Sequence, residues 1–156
     1  MTQPKIRCLI LACGNTLRSD DGVGPWLAAW AEEEYRTDPS ICVISRQQWT
    51  PDLAEEIAGA ETVLFIDCSV ESDPGSVQLT PVDPSAVSRG LAAHHLGAAE
   101  LLALSSELYP STPAHSLLLT VGADCTELGE GFSSAVKSAL PDACDRLERA
   151  IRRLLT

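Results

Sequence analysis

Residues 6–13 and 14–25 read IRCLILAC and GNTLRSDDGVGP, and this stretch decides the fold. The first segment is an apolar run of strand length, and it predicts a strand buried on both faces. The second leads into a predicted helix from Pro25 to Tyr35, where Leu27 and Trp30 share one face and proline suits the first turn. A buried strand followed by a loop and a helix is the opening unit of an α/β protein.

Two more apolar segments have the length of strands, Ile41 to Arg46 and Thr62 to Asp67. Between them, Thr50-Pro51 predicts the N-cap and first turn of a short helix, and Gly59 predicts its end. The order strand, helix, strand, helix, strand indicates a mostly parallel sheet with helices on both faces.

The second half of the chain continues this pattern with one variation. A short strand from Ser76 to Thr80 follows a tight turn, and its hairpin-like placement predicts an antiparallel strand. A helix from Leu96 to Leu108 and a strand from Ser116 to Gly122 come next. The last helix has apolar residues at helical spacing up to Leu154, and Pro141 either breaks or kinks it or marks its first turn.

The sequence therefore predicts an α/β fold. We expect a three-layer α/β/α sandwich around a twisted, mostly parallel sheet of about five strands, one of them antiparallel. The chain has 156 residues, which predicts a single domain over residues 1–156.

The net charge and the cysteines of the chain indicate which partners it can bind and in which cellular compartment it works. Eleven Lys and Arg against 22 Asp and Glu give a net charge of −11, which repels a phosphate backbone, so we expect no nucleic-acid partner. No segment resembles a signal peptide or reaches membrane-spanning length, so we expect no membrane association. The six cysteines are scattered without a C-x-x-C pair. They suit small buried hydrophobes, and reduced thiols predict a cytoplasmic protein.

Polar side chains of three loops fall where the carboxyl ends of parallel strands meet, which is the ligand-binding edge of such sheets. Asp20 and Asp21 follow the first strand, Asp67 ends the third, and His94 and His95 precede the next helix. Two carboxylates and an imidazole suit a divalent transition ion such as nickel, zinc or manganese. The pattern predicts a binding site without identifying the ion.

These residues also have structural interpretations. Either aspartate of the first loop is a suitable cap for the following helix, and a histidine at a helix entrance needs no ligand. Asp67 has the weakest structural explanation, because a carboxylate after four apolar strand residues must be solvated, paired or bound to a cation. The third histidine, His115, is expected at the surface.

Several enzyme classes are excluded by missing motifs. The first loop lacks G-x-G-x-x-G and carries two acids where a pyrophosphate would bind, and no P-loop is present. A phospho-receiver domain has similarly placed acids but needs a lysine after its last strand, and neither Lys5 nor Lys137 is there. A serine hydrolase is disfavoured because G-x-S-x-G is absent.

The string GNTLRSDDGVGP after a buried first strand resembles the signature of the nickel-iron hydrogenase maturation endopeptidases. Three further segments match in order: the apolar strand ending in Asp67, the segment HHLG at residues 94–97, and Leu117 to Gly122, which resembles the family's last strand. Together these matches cover almost the whole chain.

This resemblance implies a small α/β/α protease that removes the C-terminal extension of a hydrogenase large-subunit precursor after nickel insertion. The family's metal site carries over to Asp21, Asp67 and His94, which are therefore the predicted catalytic and metal-contacting residues. Asp20 is expected to support or cap rather than to bind. Where this chain has Gln47-Gln48-Trp49, relatives tend to have small, glycine-rich residues.

The implied partner is the nickel-loaded precursor, and the implied metal is the nickel it carries, or another divalent metal when the protein is alone. Nickel then serves as the specificity check, because only a metallated precursor docks correctly. A covalent acyl-enzyme is disfavoured, since no Ser or Cys stands with a partnered base in a recognisable order. The alternative is a non-catalytic nickel-binding maturation chaperone that uses the same three residues.

Overall fold

A computed structural model describes residues 4–85 and 96–156 of the chain. This part contains β1 (Ile6–Cys13), α1 (Val23–Glu34), β2 (Ile41–Arg46), α2 (Leu53–Ala58), β3 (Ala60–Ser69), β4 (Val77–Pro81), α3 (Ala98–Leu108), β5 (His115–Gly122) and α4 (Ser134–Leu155). A single 3-10 turn at Ser19–Gly22 precedes α1.

The five strands of the described residues form one sheet in the order β2-β1-β3-β5-β4. β1 pairs in parallel with β2 and β3, and β3 pairs in parallel with β5. β4 lies at one edge and is antiparallel to β5. The predicted mostly parallel sheet with one antiparallel strand is confirmed.

Helices cover both faces of this sheet. Side chains alternate along a strand, so Ile10 of β1 packs with α1 and α4 on one face, in the cluster that contains Leu27 and Leu147. Leu11 points to the opposite face and packs with α2 and α3, in the cluster that contains Leu53. Burial on both faces explains why β1 is apolar throughout rather than alternating. The predicted three-layer α/β/α sandwich is confirmed.

The third strand is longer than predicted. β1 and β2 have the predicted bounds, but β3 continues to Ser69, because Asp67, Cys68 and Ser69 remain paired with β5. The prediction that this strand ends at Asp67 is therefore wrong by two residues. Asp67 is held by a strand ladder on one side, which restricts its backbone more than a loop would.

Some predicted helix ends also differ. The N-cap of α2 is Asp52, not Thr50, because a turn that bonds the Leu53 N–H to the Thr50 carbonyl precedes the helix. The last helix begins at Ser134, and the Ser133 side chain accepts a hydrogen bond from the Val136 N–H at 3.4 Å. Pro141 lies inside α4, so it neither breaks this helix nor marks its first turn.

The cysteines form no disulfide, and only some of them are buried as predicted. All six cysteines are free thiols, and Cys8 and Cys13 are buried. None of the helices in the described ranges combines the length and the apolar character needed to cross a membrane.

Candidate functional site

A cleft lies at the carboxyl ends of β1 and β3, two neighbouring strands at the centre of the sheet. The chain leaves β1 for α1 on one face, whereas α2 and α3 cover the opposite face. This is the switch point at which open α/β sheets bind their ligands. The cleft has a volume of about 270 Å³. Its walls are formed by Cys13, Gly14, Asp21, Gln47, Gln48, Trp49, Asp67, Cys68, Val70 and Leu96.

Asp21 is positioned by the loop that follows β1. The Asn15 backbone N–H donates a hydrogen bond to Asp21 Oδ2 at 2.7 Å. The Asn15 side chain in turn accepts from the Leu17 N–H at 2.9 Å, which closes a local turn. Asp21 is half-buried, so one carboxylate oxygen is anchored while the residue still borders the cleft.

Asp67 reaches the same cleft from β3. Its Oδ1 accepts a hydrogen bond from the Cys68 N–H at 2.7 Å. Ala12 pairs with Ile66, so the next residue of β1, Cys13, stands beside Asp67, and its side chain is hydrogen-bonded to the carboxylate. The structure thus brings Asp21 and Asp67, 46 residues apart in the chain (67 − 21), to one cleft.

The negative charges of the cleft affect the pKa values of two thiols that line it. Burial raises the pKa of Cys13, and the negative charges of Asp67 and Asp21 raise it further. Burial and the same two carboxylates raise the pKa of Cys68 to about 12. Both thiols therefore stay protonated at neutral pH, and a protonated thiol is a poor nucleophile. Attack by either thiol is therefore disfavoured.

Asp20 does not border the cleft, and its side chain is fully buried. Its carboxylate accepts hydrogen bonds from the backbone N–H groups of Asp124, Cys125 and Ser133 at 2.9, 3.0 and 2.7 Å, and from the Ser133 hydroxyl at 2.8 Å. Because Ser133 caps α4, Asp20 ties the first loop to the segment between β5 and α4. These hydrogen bonds give Asp20 the supporting role that was expected. Of the two adjacent aspartates, only Asp21 borders the cleft.

The third predicted site residue, His94, and its neighbour His95 lie outside the described residues. Leu96, two residues further along the chain than His94, lines the cleft. Within residues 4–85 and 96–156, no three His, Cys, Asp or Glu side chains are grouped as a metal site. His115 is exposed at the start of β5, as predicted.

Residues that sequence reasoning did not place in the site form one wall of the cleft. Gln47 and Gln48 follow β2, and Trp49 packs edge-on against Phe65 with ring centroids 5.2 Å apart. The sequence connected these three residues with the shape of the substrate cleft, through their departure from the small residues of relatives, but gave them no role in the site. Cys13 was interpreted only as a core residue, although its place at the end of β1 put it beside the third strand.

Gly14 is the point at which β1 turns into the Asp21 loop. It has a positive φ of 153°, and a Cβ atom there would lie 2.0 Å from the Asp21 carbonyl oxygen. We expect Gly14→Ala to displace this loop and to lower the free energy of unfolding by about 2 kcal/mol, measured by urea denaturation.

The matched control for this variant is Gly59→Ala at the end of α2. A Cβ atom at Gly59 would meet nothing closer than 3.7 Å, so we expect unchanged stability. Equal stability of the two variants would show that the close approach of Gly14 to the Asp21 backbone is not required.

Solved structures of hydrogenase maturation endopeptidases have the same fold. The hydrogenase maturating endopeptidase HybD from E. coli covers 94% of this chain and 93% of its own, with a TM-score of 0.77 and 19% identity. The NiFe hydrogenase maturation protease HybD from Thermococcus kodakarensis covers 92% and 98%, with a TM-score of 0.68 and 28% identity. The hydrogenase 2 maturation peptidase from a Thaumarchaeota archaeon covers 96% and 99%, with a TM-score of 0.68 and 22% identity.

The fold, with a cleft at its switch point, is that of an α/β/α peptidase of the hydrogenase maturation class. No family model matches the chain, and no curated protein sequence matches it either. The solved structures confirm that the chain has the fold of the hydrogenase maturation endopeptidases, which its sequence resembles.

Proposed function

We propose that this protein is the endopeptidase that removes the C-terminal extension of a nickel-iron hydrogenase large-subunit precursor after nickel insertion. The observation that carries the proposal is the convergence of Asp21 and Asp67 on one cleft of a maturation-peptidase fold. We also infer that it acts in the cytoplasm, where its six free cysteines stay reduced.

In this proposal nickel is part of the substrate. The precursor holds the ion through its own thiolates, and Asp21, Asp67 and, from the resemblance, His94 supply further ligands when it docks. Oxygen and imidazole ligands are compatible with nickel. A precursor without nickel lacks this contact and docks poorly. Nickel therefore reports that the precursor is ready for cleavage.

The two carboxylates also offer a route for hydrolysis. A carboxylate of the cleft orients a water molecule and accepts its proton as the water oxygen attacks the scissile carbonyl carbon. The proton then passes to the amine nitrogen of the leaving peptide as the C–N bond breaks. Nickel carried by the precursor would polarise the carbonyl, as metal ions do in other hydrolases. The protonated thiols of Cys13 and Cys68 support attack by water rather than by sulfur.

The test is intact-mass analysis of purified precursor after mixing with the protein. We expect the nickel-loaded precursor to lose a C-terminal peptide and the nickel-free precursor to keep its mass. Efficient cleavage of nickel-free precursor would contradict the specificity check. Binding without any change of mass would contradict the peptidase and favour the alternative, a nickel-binding chaperone.

A further inference from the structure

One wall of the cleft holds a buried aromatic residue in a fixed position. Trp49 is 7% exposed and belongs to the apolar cluster that α2 and α3 cover. Its ring meets the Phe65 ring edge-on, at an interplanar angle of 72°. Trp49 borders the same cleft as Asp21 and Asp67, so this rigid side chain stands close to the proposed catalytic residues.

The indole N–H of Trp49 is buried and has no hydrogen-bond partner in the described part of the chain. A buried donor without an acceptor loses its bond to water and gains nothing in return. Native proteins keep few such groups, and each one calls for a physical explanation. Because Trp49 lines the cleft, an acceptor that arrives there with a ligand is a physical explanation for this N–H.

The chemistry of the cleft restricts this acceptor. Asp21 and Asp67 repel an anionic acceptor such as a phosphate or a carboxylate, so a neutral oxygen is favoured. The carbonyl groups of a peptide backbone are neutral acceptors, and every residue of an extended segment carries one. The side-chain amides of Gln47 and Gln48 in the same wall can both donate and accept, which also suits a peptide backbone.

We propose that Trp49 is a substrate-binding residue of the peptidase: its indole N–H donates a hydrogen bond to a backbone carbonyl of the precursor's C-terminal segment. This inference rests on the proposed function. The bond forms when the segment enters the cleft and persists in the transition state. Trp49 therefore contributes to substrate affinity rather than to the chemical step.

The first test uses Trp49→Phe, which removes the N–H and keeps an aromatic ring against Phe65. With nickel-loaded precursor we expect KM to rise about tenfold and kcat to stay unchanged, because a bond made equally in the ground and transition states affects KM alone. The matched control is Trp26→Phe, since Trp26 is 40% exposed, meets the Phe132 ring edge-on and does not line this cleft. An unchanged KM in Trp49→Phe would overturn the proposal.

A second variant separates hydrogen bonding from packing. Replacing Trp49 alone by 3-benzothienylalanine keeps the shape of the ring and exchanges the N–H for sulfur. We expect a Tm no lower than that of the wild type, with the same tenfold rise in KM, because the N–H has no partner inside the protein. A lower Tm than that of the wild type would show that the N–H is already bonded internally, and this would overturn the proposal.

Failure of the inference about Trp49 can be distinguished from failure of the proposed function. If the wild type cleaves the precursor but both Trp49 variants match its KM, only the inference about Trp49 fails. If the wild type binds the precursor without cutting it, the peptidase proposal fails. The contact of Trp49 is then tested by the Kd of each Trp49 variant for the precursor. A tenfold weaker Kd in both variants supports the contact, and an unchanged Kd overturns it.

Discussion

The Asp67→Asn variant is expected to process nickel-loaded precursor about a thousandfold more slowly than the wild type while remaining folded. The amide has the size of the carboxylate, and its oxygen can still accept the hydrogen bond that Oδ1 receives from the Cys68 N–H. In the proposed function, the substitution removes a negative charge that contacts nickel and is one of the two available to accept a proton from water. The measurement is the initial rate of precursor shortening, followed by intact mass.

The control for this variant is Asp145→Asn, the same chemical change on α4. Asp145 forms an exposed ion pair with Arg149, and such pairs contribute little to stability. We expect wild-type processing by Asp145→Asn. If Asp67→Asn is folded and its rate lies within a few-fold of this control, Asp67 does not take part in the reaction.

The second large effect concerns stability. Asp20→Ala is expected to lower the free energy of unfolding at pH 7 by about 4 kcal/mol, measured by urea denaturation. The substitution leaves three backbone N–H groups and the Ser133 hydroxyl without the carboxylate that accepts from them. It also separates the Asp21 loop from the N-terminus of α4, so we expect slower processing as a consequence.

The control is Asp124→Ala in the neighbouring loop, whose side chain is exposed and whose backbone N–H bond to Asp20 is retained. We expect this variant to remain within about 0.5 kcal/mol of the wild type. Equal loss of stability in both variants would show that the Asp20 carboxylate is not what holds the loop.

The contribution of Asp20 to the free energy of unfolding also depends on pH. Burial alone would raise the pKa of Asp20, but the hydrogen bonds from Ser133, Cys125 and Asp124 outweigh it and hold the pKa below its usual value. Its stabilising contribution is therefore complete above the pKa of the unfolded chain, about 3.9. The contribution is lost as the pH falls through the lower folded-state pKa. The stability difference between wild type and Asp20→Ala should shrink below pH 4, and a constant difference would contradict this.

Much of the fold could be predicted from the sequence because its central strands, β1 and β3, are buried on both faces. Such strands are short apolar runs with polar ends, and β1 and β2 lie where the pattern predicts them. Errors arose where tertiary contacts decide the outcome. Pairing with β5 extends β3 beyond Asp67, and the Ser133 cap allows α4 to begin well before Pro141.

The candidate site was predictable in part for a related reason. Parallel strands bring their carboxyl ends to one edge, so Asp21 and Asp67 could be placed together without coordinates. The roles of Asp20 and Trp49 depend on contacts with distant segments. Ser133 lies 113 residues from Asp20, and the Trp49 ring is fixed by Phe65 on another strand. No local pattern encodes either contact. His94 stays a prediction from the resemblance.

The central claim is that Asp21 and Asp67 contact the nickel of the precursor. The most direct measurement is nickel X-ray absorption of loaded precursor, alone and freeze-quenched with the protein before the first turnover. We predict additional oxygen ligands at nickel with the wild type, and the spectrum of the free precursor with a folded Asp21→Asn/Asp67→Asn variant. A nickel spectrum that the wild-type protein leaves unchanged would contradict the account.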